Sequence, residues 1–85
     1  MALLKIRTLQ AIEGAQAFCY TDDTMQTILI AISDLNWSAE LDKKESAEDV
    51  EEELIMYLFN LMDEAEAEHL AHELTLIIFD KGDNI

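Results

Sequence analysis

Between Gly14 and Gly82 the chain runs for 67 residues without a glycine or a proline, and this stretch constrains the fold more than any other feature. Glycine and proline are the residues that most often interrupt regular structure, so their absence favours helices joined by short polar turns. A chain of 85 residues has room for one domain. We therefore expect an all-α fold, a small bundle of three to four short helices. It would form a single helical domain over residues 1–80, followed by a frayed acidic tail at 81–85.

Residues 3–20 fit this fold least well. Their alanines favour a helix, but apolar and polar side chains alternate over residues 4–8 in the manner of a strand. Gly14 would also weaken a helix by about 1 kcal/mol. We predict a helix for this segment and keep a strand as the alternative.

Residues 21–35 show a clearer helical pattern. Hydroxyl and carboxylate side chains at 21–24 can cap the first exposed amides of a helix and suit the positive end of its dipole. Apolar residues then recur at helical spacing: Met25, Ile28, Leu29, Ile32 and Leu35. We predict a second helix that ends near Trp37, followed by a polar connector at 38–45.

Ser46 is expected to open a third helix that runs to about Met62. Ser46 and Asp49 have the spacing of a capping box, with aspartate in place of glutamate. At 100° per residue, the apolar stripe of this helix points in the opposite direction to the apolar residues that follow Asp63. One straight helix therefore cannot bury both sets in one core. We predict a break near Asp63, capped with Glu66, and a further helix over 64–79. The alternative is one long helix whose two halves face different subunits.

The apolar segments predict self-association. Residues 54–62 are apolar on every side of the third helix, and a helix of that kind has to be covered all round. Domains this small are marginally stable alone, and Cys19, the single cysteine, cannot form an internal disulfide. We expect Cys19 to be a buried apolar side chain. We predict a homodimer with these interface residues, the alternative being that all four lie in the core of one chain: Trp37, Met56, Tyr57 and Phe59.

The histidines give the main suggestion of a metal site. Glu66 and His69 have the Glu-x-x-His spacing of di-iron helical bundles, and His72 adds a second imidazole. These side chains and Glu73 project away from the apolar stripe of their own helix, which predicts a solvated face. The chain also lacks a glycine-rich phosphate loop and a recognisable nucleophile–base arrangement. We therefore predict no metal, no cofactor and no enzymatic activity.

Charge is the strongest functional signal in the chain. Nineteen acidic residues against five basic ones give a net charge of −14, and twelve of the carboxylates fall within residues 40–68. Helix first turns and solvated faces account for part of this density. They do not account for the whole excess, because self-repulsion opposes compaction. Direct binding to nucleic acid needs clustered lysine and arginine, so we exclude it, and an anionic membrane is disfavoured for the same reason.

We therefore expect a small cytoplasmic regulator or inhibitor that docks a carboxylate-rich face on a basic protein surface. The apolar core of a signal peptide is lacking, since charged residues interrupt residues 1–17. In one version the protein is a DNA mimic of phage type, which occupies the groove of a nucleic-acid-binding protein. In the other it is a regulator, adaptor or chaperone whose charge only speeds association.

Five carboxylates carry the predicted contact with the partner: Asp42, Glu45, Asp49, Glu52 and Glu53. The competing hypothesis is a self-assembling structural or adaptor module that uses the apolar surface of residues 54–62. Salt should distinguish the two, because charge-driven binding weakens with ionic strength and apolar assembly does not.

Overall fold

The computed structural model describes residues 2–22, 24 and 26–79, with only the backbone described for residues 2 and 3. Four strands come first in the chain, and they form one antiparallel sheet in the order β1-β2-β3-β4. Two helices follow, and a short 3-10 turn, Ser33–Leu35, joins the last two strands. The elements are β1 Ala2–Thr8, β2 Gln16–Asp22, β3 Thr27–Ile32, β4 Trp37–Asp42, α1 Ala47–Leu58 and α2 Glu64–Ile78.

The predicted all-α bundle is wrong, because the first half of the described chain is a sheet. Residues 3–20, predicted as a helix, form β1 and most of β2, so the strand that was kept as the alternative is correct. The predicted second helix, 21–35, contains the end of β2 and the whole of β3. The predicted connector, 38–45, contains most of β4. The single helical domain over 1–80 is therefore wrong in its helical part, and the predicted tail at 81–85 lies outside the described residues.

The sequence of β3 explains the error. Its six residues are Thr-Ile-Leu-Ile-Ala-Ile, a nearly continuous apolar run. Ile28, Ile30 and Ile32 point into the core, while Leu29 and Ala31 point to the other face of the sheet and are half-buried. When both faces of a strand are apolar, every helical spacing also finds an apolar residue, so periodicity does not separate the two structures. Its three β-branched isoleucines were the better guide, since such residues pack well in strands.

Two positions with positive φ turn the chain between strands. Gly14 has a φ of 82° and lies in the turn between β1 and β2, which is closed by a 2.8 Å hydrogen bond from Leu9 N to Ala15 O. Asn36 has a φ of 54° and follows the 3-10 turn before β4. Glycine adopts this backbone region without steric cost, and asparagine is the side chain that tolerates it best. Gly14 therefore marks a turn in the chain and does not weaken a helix.

The helical half of the chain follows the sequence prediction. The Ser46 side chain accepts a 3.2 Å hydrogen bond from Asp49 N at the start of α1. The Asp63 side chain accepts a 2.9 Å bond from Glu66 N at the start of α2. The predicted break at Asp63 is confirmed, and the single long helix is wrong. α1 ends at Leu58, earlier than the predicted Met62, so Leu61 lies outside the buried stripe and is exposed.

Both helices pack on the same face of the sheet. Because the chain reverses at Asp63, the two apolar stripes that pointed apart on a single helix now meet one core. Cys19 lies in this core as predicted, and burial raises the pKa of its thiol. Within the described residues, neither helix is long and apolar enough to span a membrane. The core consists mainly of Ala17, Cys19, Ile28, Ile30, Ile32, Leu41, Val50, Leu54, Leu58, Leu70, Ala71 and Leu74.

The opposite face of the sheet, here called the open sheet face, is also apolar at its centre. Neither α1 nor α2 covers it, since both contribute their buried side chains to the core on the other side. Strand register places its central side chains together: Leu4, Ile6, Phe18, Tyr20, Leu29 and Ala31.

Candidate functional site

Four of the five carboxylates predicted to contact a partner come together where β4 leads into α1. Asp42 ends β4, Glu45 lies in the following turn, and Asp49 and Glu53 lie on successive turns of α1. The charges of Glu53, Asp42 and Asp49 all act on the Glu45 carboxyl group. We call these four residues the acidic cluster.

Glu45 is the centre of the acidic cluster. Desolvation is the largest cause of the raised pKa of its carboxyl group, followed by interaction with Glu53 and by the charges of Asp42 and Asp49. One of its oxygens, Oε1, is buried without a hydrogen-bond partner. Like charge close to a carboxyl group disfavours its ionised form, so the neighbouring carboxylates favour the neutral form of Glu45.

The two neighbouring lysines do not neutralise the acidic cluster. Lys43 Nζ donates a 2.5 Å hydrogen bond to the backbone oxygen of Asp22, which directs it toward the turn between β2 and β3. Lys44 contributes its backbone N–H, which donates to the Asp42 carboxylate at 2.9 Å. Neither lysine forms an ion pair with the cluster in the described part of the chain. The negative charge there is therefore open to a basic group from outside.

Glu52, the fifth predicted residue, lies on the same outward side of α1. At 100° per residue, this side carries Asp49, Glu52, Glu53 and Met56, and it is turned away from the buried Val50 and Leu54. Met56 is 68% exposed and Phe59, which caps the end of the helix, is 58% exposed. The helix thus presents carboxylates in its first two turns and apolar side chains beyond them. We call this the α1 outer surface: Asp49, Glu52, Glu53, Met56 and Phe59.

Trp37 and Tyr57 line a shallow cleft beside the α1 outer surface. The cleft has a volume of about 260 Å³ and lies between the start of β4 and the end of α1, with Glu40 and Asn60 on its walls. Tyr57 is exposed and Trp37 is half-buried. The predicted dimer-interface residues Met56, Tyr57 and Phe59 thus lie outside the core of the single chain. Their role in a dimer stays a prediction.

A larger cleft of about 570 Å³ lies beside the end of α2, lined in part by Arg7, Leu76 and Phe79. Two of its polar side chains already serve the fold. The Glu73 carboxylate accepts hydrogen bonds from two backbone N–H groups of the β1–β2 turn, and Thr75 Oγ1 donates to Ala71 O at 2.7 Å. The side chains of Glu73 and Thr75 are therefore already engaged in hydrogen bonds within the fold. This cleft is nevertheless larger than the cleft lined by Trp37 and Tyr57.

The histidines lie on the exposed side of α2, where the sequence placed them. His72 Nδ1 lies 3.4 Å from the Glu51 carboxylate on α1, and His69 and Glu66 are exposed. Glu73, the fourth polar residue of this pattern, is turned to the β1–β2 turn. Among the described residues, no group of three or more His, Cys, Asp or Glu side chains is arranged to hold a metal ion.

Comparison with known proteins identifies the family of the chain. A family model described as "YueH-like protein" matches residues 5–79, which include every strand and helix described above except the first three residues of β1. No curated protein and no solved structure matches the chain. The chain belongs to the YueH-like family.

Proposed function

We propose that this member of the YueH-like family is a cytoplasmic, non-enzymatic regulator that binds another protein through the acidic cluster and the α1 outer surface. The partner surface would combine basic and apolar side chains. One observation carries the proposal: the carboxylates of α1 continue directly into exposed Met56 and Phe59 on the same side of the helix.

The charged part of this surface suits a basic partner. Lys43 is directed to Asp22, and neither Lys43 nor Lys44 forms an ion pair with the acidic cluster among the described residues, so its carboxylates stay open to a basic group. A strong field of one sign raises the rate of encounter with an oppositely charged surface and disfavours partners of like charge. The cluster therefore supports steering and choice of partner.

The apolar part of the surface supplies the apolar centre that a purely charged surface lacks. Interfaces typically have an apolar centre enriched in aromatic residues and methionine, with charged groups toward the rim. Met56 and Phe59 fit such a centre, and a methionine side chain adapts to differently shaped partners. The cleft between Trp37 and Tyr57 offers a place for one anchoring side chain of the partner.

A regulator or adaptor fits this surface better than a DNA mimic does. Successive phosphates present separate full charges along a strand. Glu45 instead is desolvated, and the neighbouring charges of Glu53, Asp42 and Asp49 raise its pKa, so the cluster is not a row of separately solvated charges. The exposed Met56 and Phe59 also have no counterpart in a phosphate backbone.

The experiment is differential capture of proteins from a lysate of the source organism by the immobilised chain. We would compare the wild type with Asp49→Asn/Glu52→Gln/Glu53→Gln and with Met56→Ser/Phe59→Ser. The matched control, Glu13→Gln/Glu64→Gln/Glu68→Gln, removes the same charge from exposed positions elsewhere. We expect captured proteins that are lost with the first two variants and at high salt, but retained by the control.

Two results would contradict the proposal. Capture that all variants share equally would place binding outside the α1 outer surface. Recovery of only the chain's own subunits at low and at high salt would instead support the self-assembling module.

A further inference from the structure

The open sheet face has an uncharged centre on a chain whose net charge is −14. Leu4 and Ile6 of β1 are 54% and 45% exposed, and register places them opposite Tyr20 and Phe18 of β2. Leu29 continues the row into β3. An antiparallel sheet with one free face normally alternates apolar and polar residues, whereas a sheet that is apolar on both faces is usually covered on both.

Polar residues surround this apolar centre. Thr8 and Gln16 lie at one end of the face, and Ser38 of β4 is exposed beside Ala31. The carboxylates described on this face stand at its margin: Asp22, Glu40 and Asp42. The hydroxyl of Tyr20 lies 3.5 Å from the Asp22 carboxylate, so the ring can be buried with its polar end still beside an acceptor. An apolar centre within a polar rim is the arrangement of a protein interface.

We infer that the open sheet face is the surface through which two copies of this chain form a dimer, by packing sheet against sheet. This inference goes beyond the proposed function and does not depend on it, since the α1 outer surface lies on the other side of the molecule and only Asp42 of the acidic cluster stands at the margin of the open sheet face. It also places the predicted homodimer on residues other than Trp37, Met56, Tyr57 and Phe59.

Charge selects a second copy as the occupant. A basic partner would be drawn to the carboxylates of the acidic cluster, and the centre of the open sheet face, with Leu4, Ile6 and Phe18, has no charge to attract it. Two chains of charge −14 repel each other, so they can approach closely only through surfaces that carry no charge at their centre. The open sheet face meets that condition, and each copy supplies the complementary apolar layer that the other requires.

The size of the face sets the strength of the dimer. Four strands about 4.8 Å apart and six residues at about 3.3 Å each give a plan area of about 400 Å² per copy. Specific, stable interfaces bury about 1,200–2,000 Å² in total, so two such faces, with a plan area of about 800 Å² together, fall below that range and among weak, transient contacts. Two such sheets would pack about 10 Å apart with interdigitated side chains. We therefore expect a reversible dimer whose population depends on concentration.

The test is sedimentation equilibrium of the full chain over a concentration series at low and at high salt. We expect a monomer–dimer equilibrium that shifts toward the dimer at high salt, because salt screens the repulsion between the two acidic copies. The proposed partner binding has the opposite salt dependence, so failure of one does not resemble failure of the other.

Three variants locate the interface without changing the net charge. Leu4→Ser/Ile6→Ser should weaken dimerisation at least tenfold, while circular dichroism shows an unchanged fold. The control Leu61→Ser/Leu76→Ser removes two side chains of similar exposure, 51% and 59%, from the helical side and should leave the dimer intact. The inference is overturned if the wild type stays monomeric at every concentration and salt. It is also overturned if Met56→Ser/Phe59→Ser dissociates the dimer while Leu4→Ser/Ile6→Ser does not.

Discussion

Lys5 in the first strand donates a hydrogen bond from Nζ to the backbone oxygen of Ile77 in the last turn of α2, at 2.6 Å, and a second to Ile78 O at 3.3 Å. The last carbonyls of a helix have no partner within the helix, and they form the negative end of its dipole. α2 has no basic residue in its own last turn. β1 therefore supplies the positive charge that this helix end needs, and the contact joins the two ends of the described fold.

Replacement of Lys5 by methionine tests this contact. Lys5 is only 6% exposed, and methionine keeps the apolar stem while it removes the donor. We expect Lys5→Met to lower the free energy of unfolding by about 1–3 kcal/mol, because it leaves buried carbonyl oxygens unsatisfied. Urea denaturation measures the change. Lys44→Met, at an exposed position, should stay within about 0.5 kcal/mol of the wild type. Equal stability of both variants would show that the capping contact contributes nothing.

Glu73 ties the β1–β2 turn to α2. Its carboxylate accepts hydrogen bonds from Gln10 N at 2.7 Å and Ala11 N at 2.9 Å. Hydrogen bonds to a charged acceptor contribute about 1.5–3 kcal/mol, so Glu73→Ala should destabilise the fold by an amount in that range. Hydrogen exchange should become faster at the amides of residues 10 and 11. Glu68→Ala, an exposed change on the same helix, should leave both amides protected, and equal exchange in the two variants would contradict the assignment.

Gly14 is held at a positive φ of 82°, and a Cβ added there would meet nothing within 4 Å. The cost of Gly14→Ala is therefore one of backbone conformation alone, and we expect a loss of about 1–2 kcal/mol in thermal or urea unfolding. Asn36, at a φ of 54°, provides the converse test, because Asn36→Gly should be neutral or slightly stabilising. A Gly14→Ala variant as stable as the wild type would mean that the turn relaxes to another conformation.

The helical half of this fold could be predicted because its signals are local. Ser46 and Asp63 satisfy helix amides three residues away, so a short stretch of sequence shows where each helix begins. The reversal near Asp63 followed from the directions of the two apolar stripes. Neither inference needed knowledge of what the helices pack against.

The sheet could not be predicted in the same way, because β3 is apolar on both faces and β1 turns its polar residues toward the helices. In β1 the polar residues Lys5 and Arg7 share the face that packs on the helices, while Leu4 and Ile6 point to the open face. Lys5 is buried only because the end of α2 accepts its hydrogen bonds, a fact that no local pattern contains. β4 was the missed signal, since Trp37, Ala39 and Leu41 alternate with polar residues over its whole length.

The candidate site could be predicted only where its residues are close in sequence, as in the helical half of the fold. Asp42, Glu45 and Asp49 are close in sequence, so their grouping required only a turn followed by a helix. The open sheet face brings together Leu4, Phe18 and Leu29, which lie on three strands, so it follows only once the sheet is known.

The raised pKa of Glu45 makes the acidic cluster a source of pH-dependent stability. Burial and the neighbouring carboxylates raise the pKa of this group in the folded state above its usual value of about 4.3 in the unfolded chain. A group of this kind contributes stability that is fully present below about pH 4 and is lost as the pH rises through the raised pKa. Deprotonation of Glu45 therefore destabilises the fold at neutral pH.

Glu45→Gln tests this dependence, because glutamine keeps the shape of the protonated acid and cannot ionise. We expect the variant to have a higher free energy of unfolding than the wild type near neutral pH, with a difference that shrinks toward zero as the pH falls to about 4. Urea denaturation over a pH series measures this difference. Glu13→Gln, in the exposed β1–β2 turn, removes the same charge and corrects for net-charge repulsion. A stabilisation by Glu45→Gln that does not vary with pH, or that Glu13→Gln reproduces, would show that like charge around Glu45 is not its cause.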